Sequence, residues 1–178
     1  MRYLIGALAL LVLLAIIGLL LVWFGTYNVA ATEPHSGFGR WVLNTTMVKS
    51  VRSRAAGEVG SPPAPTDAAL EDGFHHFDDT CVQCHGAPGV DPAEWAEGLR
   101  PDPPDLAEEA EDWTEKEIFW IVKHGVRMTG MPAFGPTHSD EELWSMVRFV
   151  KTLPDMSAEE YRRLRAEAGA EPHTHHHH

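Results

Sequence analysis

The sequence predicts an all-α protein in which a single N-terminal transmembrane helix precedes a small helical domain. Residues 3–32 contain no charged side chain. Two later segments repeat apolar residues at spacings of three and four, and no segment alternates apolar and polar residues as a half-buried strand does. We divide the chain into an anchor (1–32), a juxtamembrane basic segment with a proline-rich linker (33–65), a helical domain (66–154), and a charged C-terminal helix with a histidine-rich tail (155–178).

The apolar run from Tyr3 to Phe24 is long enough to cross a membrane, since as a helix it would span roughly 33 Å against a hydrocarbon core of about 30 Å. A cleaved secretory signal is the alternative, and residues 29–31 are small enough for a cleavage site. Signal cores run only about 7–15 apolar residues, which favours an uncleaved anchor. Arg2 precedes the span and no Lys or Arg follows it until Arg40, so the rest of the chain is expected on the periplasmic side of the cytoplasmic membrane.

Residues 38–56 mix apolar residues such as Trp41, Val48 and Val51 with four basic side chains. This mixture suits a helix lying on lipid headgroups. It suits equally a solvated basic helix, or a neck that packs on a partner. The following segment, residues 57–66, holds three prolines and has the composition of an extended linker, so we place a domain boundary there.

The charge of the chain is unevenly distributed. The formal net charge is −12, and residues 66–154 contain nineteen acidic and six basic residues, a net of −13. Phosphate binding relies on clusters of Lys and Arg, so this domain is not expected to bind nucleic acid.

The helical domain is expected to begin with a helix near residues 68–80, followed by a loop from 86 to 104 that is rich in proline and glycine. Thr114 and Glu117 form a capping-box pattern that opens a helix ending near His124. A further helix is expected from about 139 to 153, and Ser157 with Glu160 opens a short charged helix.

Cys81 and Cys84 are the two cysteines of the chain, and His85 follows the second directly. On a helical turn this spacing lets two thiols react with the vinyl groups of one haem while the histidine meets its iron. A thioredoxin-like site would need a βαβ pattern, a zinc site would need a second pair of ligands, and a structural disulfide would leave His85 unexplained. The motif therefore predicts one covalently bound haem c with its iron.

Residues 66–154 resemble the class I cytochrome c fold. The family pattern Gly-x-x-x-Phe-x-x-x-Cys-x-x-Cys-His is matched by Gly73, Phe77, Cys81, Cys84 and His85. The resemblance implies that the first helix of the domain crosses the last, that glycine permits their close approach, and that Phe149 packs nearby.

Residues 128–134 resemble the Gly-Met-Pro-x-aromatic loop that supplies the second iron ligand in many bacterial cytochromes c, which implies that Met131 is that ligand. Met128 is the alternative within the loop. Met131 is also preferred on physical grounds, because Pro132 pushes the residue before it towards extended backbone and Gly130 permits close approach to the macrocycle.

The resemblance further implies that a proline carbonyl accepts a hydrogen bond from the iron-binding histidine, which fixes its ring. Pro104 fits this position best and Pro88 is the alternative. Arg100 and Arg127 are candidates for the haem propionates or are ordinary surface charges. The remaining histidines match no ligand position of the family, and those of the tail, His173 and His175 to His178, are natural metal ligands or a purification tag and are left out of the functional argument.

Histidine and methionine together would fill both axial positions of the iron, which leaves no open site for a substrate. The resemblance therefore implies an electron carrier or an electron-transfer subunit and not an enzyme. Its expected partners are a quinol-oxidising complex or dehydrogenase as donor and a terminal oxidase or soluble carrier as acceptor, reached as a tethered shuttle or within a fixed complex. A haem-based gas sensor and a peroxidase-like enzyme are the alternatives, and each would need an accessible iron.

Overall fold

The computed structural model describes residues 2–169, and the histidine-rich tail lies outside them. The α-helices are α1 Arg2–Trp23, α2 Gly37–Glu58, α3 Asp67–His76, α4 Val82–His85, α5 Leu106–Glu109, α6 Glu115–His124, α7 Asp140–Val150 and α8 Ala158–Ala168. A π-helical turn, Phe77–Cys81, joins α3 to α4, and short 3₁₀ turns lie at Glu94–Gly98, Ala110–Asp112 and Leu153–Asp155. The described residues contain no β-strand beyond an isolated bridge, and the prediction of an all-α protein is confirmed.

The chain divides after Pro34 into two compact units. In the first unit, α1 has 22 residues and buries none of them. Among the described residues it is the one helix whose length and composition suit a membrane span. Its apolar side chains are exposed, which is the state expected of a helix that meets lipid.

The second unit contains α2 together with all the later helices. Ser36 caps α2 by accepting a hydrogen bond from the backbone N–H of Gly39 at 3.1 Å. Val51 and Ala55 are only 2% and 1% exposed, and α2 packs on α6. The second half of the basic segment therefore packs on the helical domain of its own chain. The domain boundaries given above stay predictions, but residues 37–58 are not separate from the domain that follows.

The crossing of α3 and α7 organises the core. A Cβ atom on Gly73 would lie 2.1 Å from the backbone oxygen of Ser145 and 3.0 Å from the Cβ of Phe149. The two helices therefore approach so closely that only glycine fits at position 73. Beside the crossing, the rings of Phe77 and Phe149 lie 5.3 Å apart. Buried Tyr161, from α8, completes this aromatic cluster.

Capping interactions fix where the later helices begin. Thr114 and Glu117 form a reciprocal capping box at the start of α6, as predicted. Ser157 and Glu160 do the same for α8, so the predicted charged C-terminal helix is present. These local hydrogen bonds satisfy backbone N–H groups that would otherwise lack partners, and the two predicted starts match the structure because the signal lies within four residues.

Candidate functional site

The candidate site is built on the helical run that continues from α3 through the π-turn into α4. Cys81 closes the π-turn, Cys84 and His85 end α4, and both cysteines are free thiols. Residues three apart on a helical turn lie on the same side, so the two sulfurs and the histidine share one region. The run stops at Gly86, whose φ of +65° and close approach to the Val90 backbone oxygen require glycine.

His85 is held by a hydrogen bond to the loop before α5. Its Nδ1 lies 2.8 Å from the backbone oxygen of Pro104. A carbonyl oxygen can only accept, so Nδ1 must carry the hydrogen and donate it. In the neutral ring this leaves a lone pair on Nε2, which is the atom that a metal ion can bind. The contact involves Pro104 and not the alternative, Pro88.

Burial lowers the pKa of His85, although the hydrogen bond to Pro104 and the nearby carboxylates of Asp105 and Glu109 act in the opposite direction. A lowered pKa keeps the imidazole neutral near pH 7, the state required of a metal ligand. The donor set and its orientation therefore fit a haem iron on the Nε2 side of His85.

The two thiols lack the lowered pKa that is typical of redox catalysts. Burial, with a smaller contribution from Cys84, raises the pKa of Cys81 to about 12, and burial also raises the pKa of Cys84. Catalytic redox thiols usually have a lowered pKa and carry thiolate near pH 7. Within residues 2–169, no group of three or more His, Cys, Asp or Glu side chains is arranged to hold a metal ion.

The loop that contains Met131 folds back onto the end of α6. Gly125, at φ +65°, is in such close contact with the backbone of Met131 and Pro132 that a Cβ atom there would clash. Val126 donates a backbone hydrogen bond to the Met131 oxygen at 3.2 Å, and the Met131 N–H donates to the Thr129 hydroxyl at 3.1 Å. These contacts fix the backbone on both sides of the methionine.

Met131 and Met128 differ sharply in environment. Met131 packs against the hydrophobic core and lies close to His85. Met128 is 79% exposed and has a φ of +63°. This arrangement supports Met131 over Met128 as the second iron ligand, and the assignment stays a prediction.

The two arginines considered for the propionates are placed differently. Arg100 uses one guanidinium nitrogen for the backbone oxygens of Glu97 and Leu99, at 2.8 and 2.7 Å, and the same nitrogen contacts the carboxylate of Asp102. It therefore stabilises its own loop. Arg127 is exposed beside Met128. A role for either in propionate binding stays a prediction.

The all-helical domain, the attachment motif and the histidine held by a proline carbonyl together define a cytochrome c domain. Residues 68–150 match the family model described as cytochrome C oxidase, cbb3-type, subunit III. This part of the chain is a class I cytochrome c domain, as the resemblance implied, and the family implies covalently bound haem c.

Among solved structures, the chain is similar to a chain of the Kuenenia stuttgartiensis reducing HAO-like protein complex, with 24% sequence identity and a TM-score of 0.47. The match covers 54% of this chain and 48% of that chain, so this chain spans about half the length of the solved one. No curated protein gives a significant match.

Proposed function

We propose that this protein is a membrane-anchored, single-haem cytochrome c that transfers electrons between redox complexes on the periplasmic side of the membrane. The observation that carries the proposal is the hydrogen bond from His85 Nδ1 to Pro104, which leaves Nε2 free next to two unpaired thiols. The haem supplies the one-electron iron couple. Cys81 and Cys84 hold it through thioether bonds.

The same geometry supports His85 and Met131 as the two residues that would hold the iron. His85 provides Nε2 to the iron, and the Pro104 carbonyl keeps the ring in one orientation and tautomer. Met131 provides a neutral thioether, which favours the ferrous state and a high potential. With both positions filled, the protein binds no substrate at iron and acts as a carrier or an electron-transfer subunit.

Covalent attachment tests this proposal first. The purified wild-type chain should keep its haem after denaturation in detergent and extraction with acidified organic solvent. A variant in which both Cys81 and Cys84 are changed to serine should lose all of it, as measured by haem staining after gel electrophoresis and by intact mass. Haem that is fully extracted from the wild-type chain would refute the proposal.

The anchor is proposed to remain in the mature protein. The support is α1, whose 22 residues match the thickness of the hydrocarbon core, and the extracytoplasmic location of cytochrome c domains. We expect the haem domain to stay with the membrane fraction in high salt and in carbonate. A mature protein that begins near Thr32 would show instead that the segment is a cleaved signal.

Two contacts, one at the end of α2 and one just beyond it, shorten the flexible tether that a shuttle would use. The Trp120 indole N–H donates to Glu58 at 3.1 Å, and Arg148 contacts the backbone oxygen of Pro63. Residues 57–66 are therefore tied to the domain at two points and do not form a free linker. The connection between α1 and α2 runs from residue 24 to residue 36.

The partner is proposed to be basic near its own redox centre, because the haem domain carries a net charge of −13 between residues 66 and 154. With a soluble partner, we expect the second-order rate of electron transfer to fall as ionic strength rises past about 0.1 M, where charges are screened beyond roughly 10 Å. Stopped-flow measurement over a salt series checks this. A rate that is flat or rises with salt would indicate an acidic partner or a permanent complex.

A further inference from the structure

Helix α8 lies beyond the family match, which ends at residue 150. It is nevertheless built into the domain. Its start is fixed by the Ser157–Glu160 capping box, and its Tyr161 is fully buried against the aromatic cluster of α3 and α7. The contacts of α8 reach the haem-binding segment from both sides.

On the first side, α8 holds the carboxylate of Asp78, which lies in the π-turn three residues before Cys81. The Tyr161 hydroxyl donates to one Asp78 oxygen at 2.7 Å. Arg165 Nε lies 2.9 and 3.1 Å from the two Asp78 oxygens. Burial and the Asp78 carboxylate raise the pKa of Tyr161 well above its usual range, so its hydroxyl remains a donor. Extra helical residues of this π type are often found at functional sites.

On the second side, α8 meets the turn that follows His85. A Cβ atom on Gly89 would lie 2.6 Å from the Cβ of Ala158, the first residue of α8. Gly89 belongs to the turn closed by hydrogen bonds between Ala87 and Val90. One helix therefore touches the chain three residues before Cys81 and four residues after His85.

We propose that α8 is a positioning element for the haem-binding segment, in which Tyr161 and Arg165 hold the Asp78 carboxylate and Arg165 balances its charge next to the first attachment cysteine. The inference rests on the proposed function, because it requires haem at Cys81 and Cys84. Tyr161 and Arg165 act through Asp78 and are positioning residues.

The charge balance has a measurable consequence at the iron. Ferric haem carries one more positive charge than ferrous haem, so an uncompensated carboxylate nearby favours the ferric state and lowers the reduction potential. Loss of Arg165 should therefore lower the potential. Loss of the Asp78 charge, which leaves Arg165 unbalanced, should raise it. If α8 only stabilised the fold, neither change in the reduction potential would occur.

The experiment uses the haem-loaded full chain in detergent and measures the reduction potential by spectroelectrochemical titration at low ionic strength. The variants are Arg165→Gln, Arg165→Lys, Asp78→Asn and the double variant Asp78→Asn with Arg165→Gln. The matched control is Arg163→Gln on the same helix, which removes the same charge. Arg163 is 66% exposed, and its ion pair, at 3.8 Å, is with Glu167 one turn away on α8.

We expect a negative shift for Arg165→Gln, a positive shift for Asp78→Asn, and a return towards the wild-type value in the double variant and in Arg165→Lys. Arg163→Gln should leave the potential unchanged. Equal potentials for Arg165→Gln and Arg163→Gln, both with haem attached, would overturn the role assigned to α8. Absence of covalent haem from the wild-type chain would instead overturn the proposed function, so the two failures are distinguishable.

Discussion

Replacement of Met131 by alanine is expected to leave the haem covalently attached while the ferric iron changes from low spin to a form with an open or water-filled position. Attachment depends on Cys81 and Cys84, whereas the thioether of Met131 is proposed to supply only the second axial ligand. Axial ligands set haem potentials over about 0.8 V, so the potential should fall by a large amount. Absorption spectra and a redox titration of the purified variant measure both changes.

Met128→Ala is the matched control, because it removes the same side chain three residues away in the same loop. Met128 is exposed, lies at positive φ, and lacks the flanking glycine and proline, so its loss should alter neither spectrum nor potential. If Met128→Ala abolishes the sulfur-to-iron charge-transfer band and Met131→Ala preserves it, the ligand assignment is wrong. If both variants keep the band, another methionine is the sulfur ligand. If the wild-type spectrum lacks the band, a histidine such as His124 or His138 becomes the candidate for the second ligand.

Gly73→Ala is expected to destabilise the haem domain by about 3 kcal/mol, the upper end of the usual range for overpacking. The new Cβ would lie 2.1 Å from a backbone oxygen of Ser145, so relief requires movement of α3 against α7 and not merely a side-chain rotation. Urea denaturation followed by the haem absorbance and by circular dichroism measures the loss.

Gly57→Ala serves as the control for this substitution, since a Cβ atom there meets nothing within 4 Å. Alanine is favoured over glycine by about 0.5–1 kcal/mol in the middle of a helix and by less near its end, and position 57 is one residue before the end of α2, so this variant should be as stable as the wild type or slightly more stable. Equal denaturation midpoints for the two variants would mean that the α3–α7 crossing is looser than the structure describes.

The features that the sequence predicted are those with short-range signals. The capping boxes at Thr114 and Ser157 each lie within four residues, and the attachment motif lies within five. Helix α1 is recognisable because its residues are uniformly apolar. The pairing of His85 with Pro104 bridges 19 residues and was expected only from the family resemblance, since spacing alone does not indicate which proline carbonyl meets the ring.

The features that the sequence did not predict depend on contacts between distant residues. The Tyr161–Asp78 hydrogen bond joins residues 83 apart, and the Trp120–Glu58 bond joins residues 62 apart. The basic character of residues 38–56 suggested a helix on lipid headgroups, a solvated helix or a neck packed on a partner, yet α2 packs on α6 with Val51 and Ala55 buried. One feature of the sequence could have predicted that α8 packs on the domain. Tyr161 is an aromatic residue among charged neighbours, which indicates a helix with one apolar side that contacts protein.

The visible and near-infrared absorption spectrum of the purified ferric chain tests the central claim most directly. We predict a six-coordinate, low-spin haem with the sulfur-to-iron charge-transfer band, obtained from a chain whose haem survives denaturation. A high-spin ferric spectrum, or a low-spin spectrum without that band, would contradict axial ligation by His85 and Met131. The high-spin spectrum would also favour a protein that binds a small ligand or substrate at iron over one that transfers electrons, whereas the low-spin spectrum without the band would indicate a different sixth ligand.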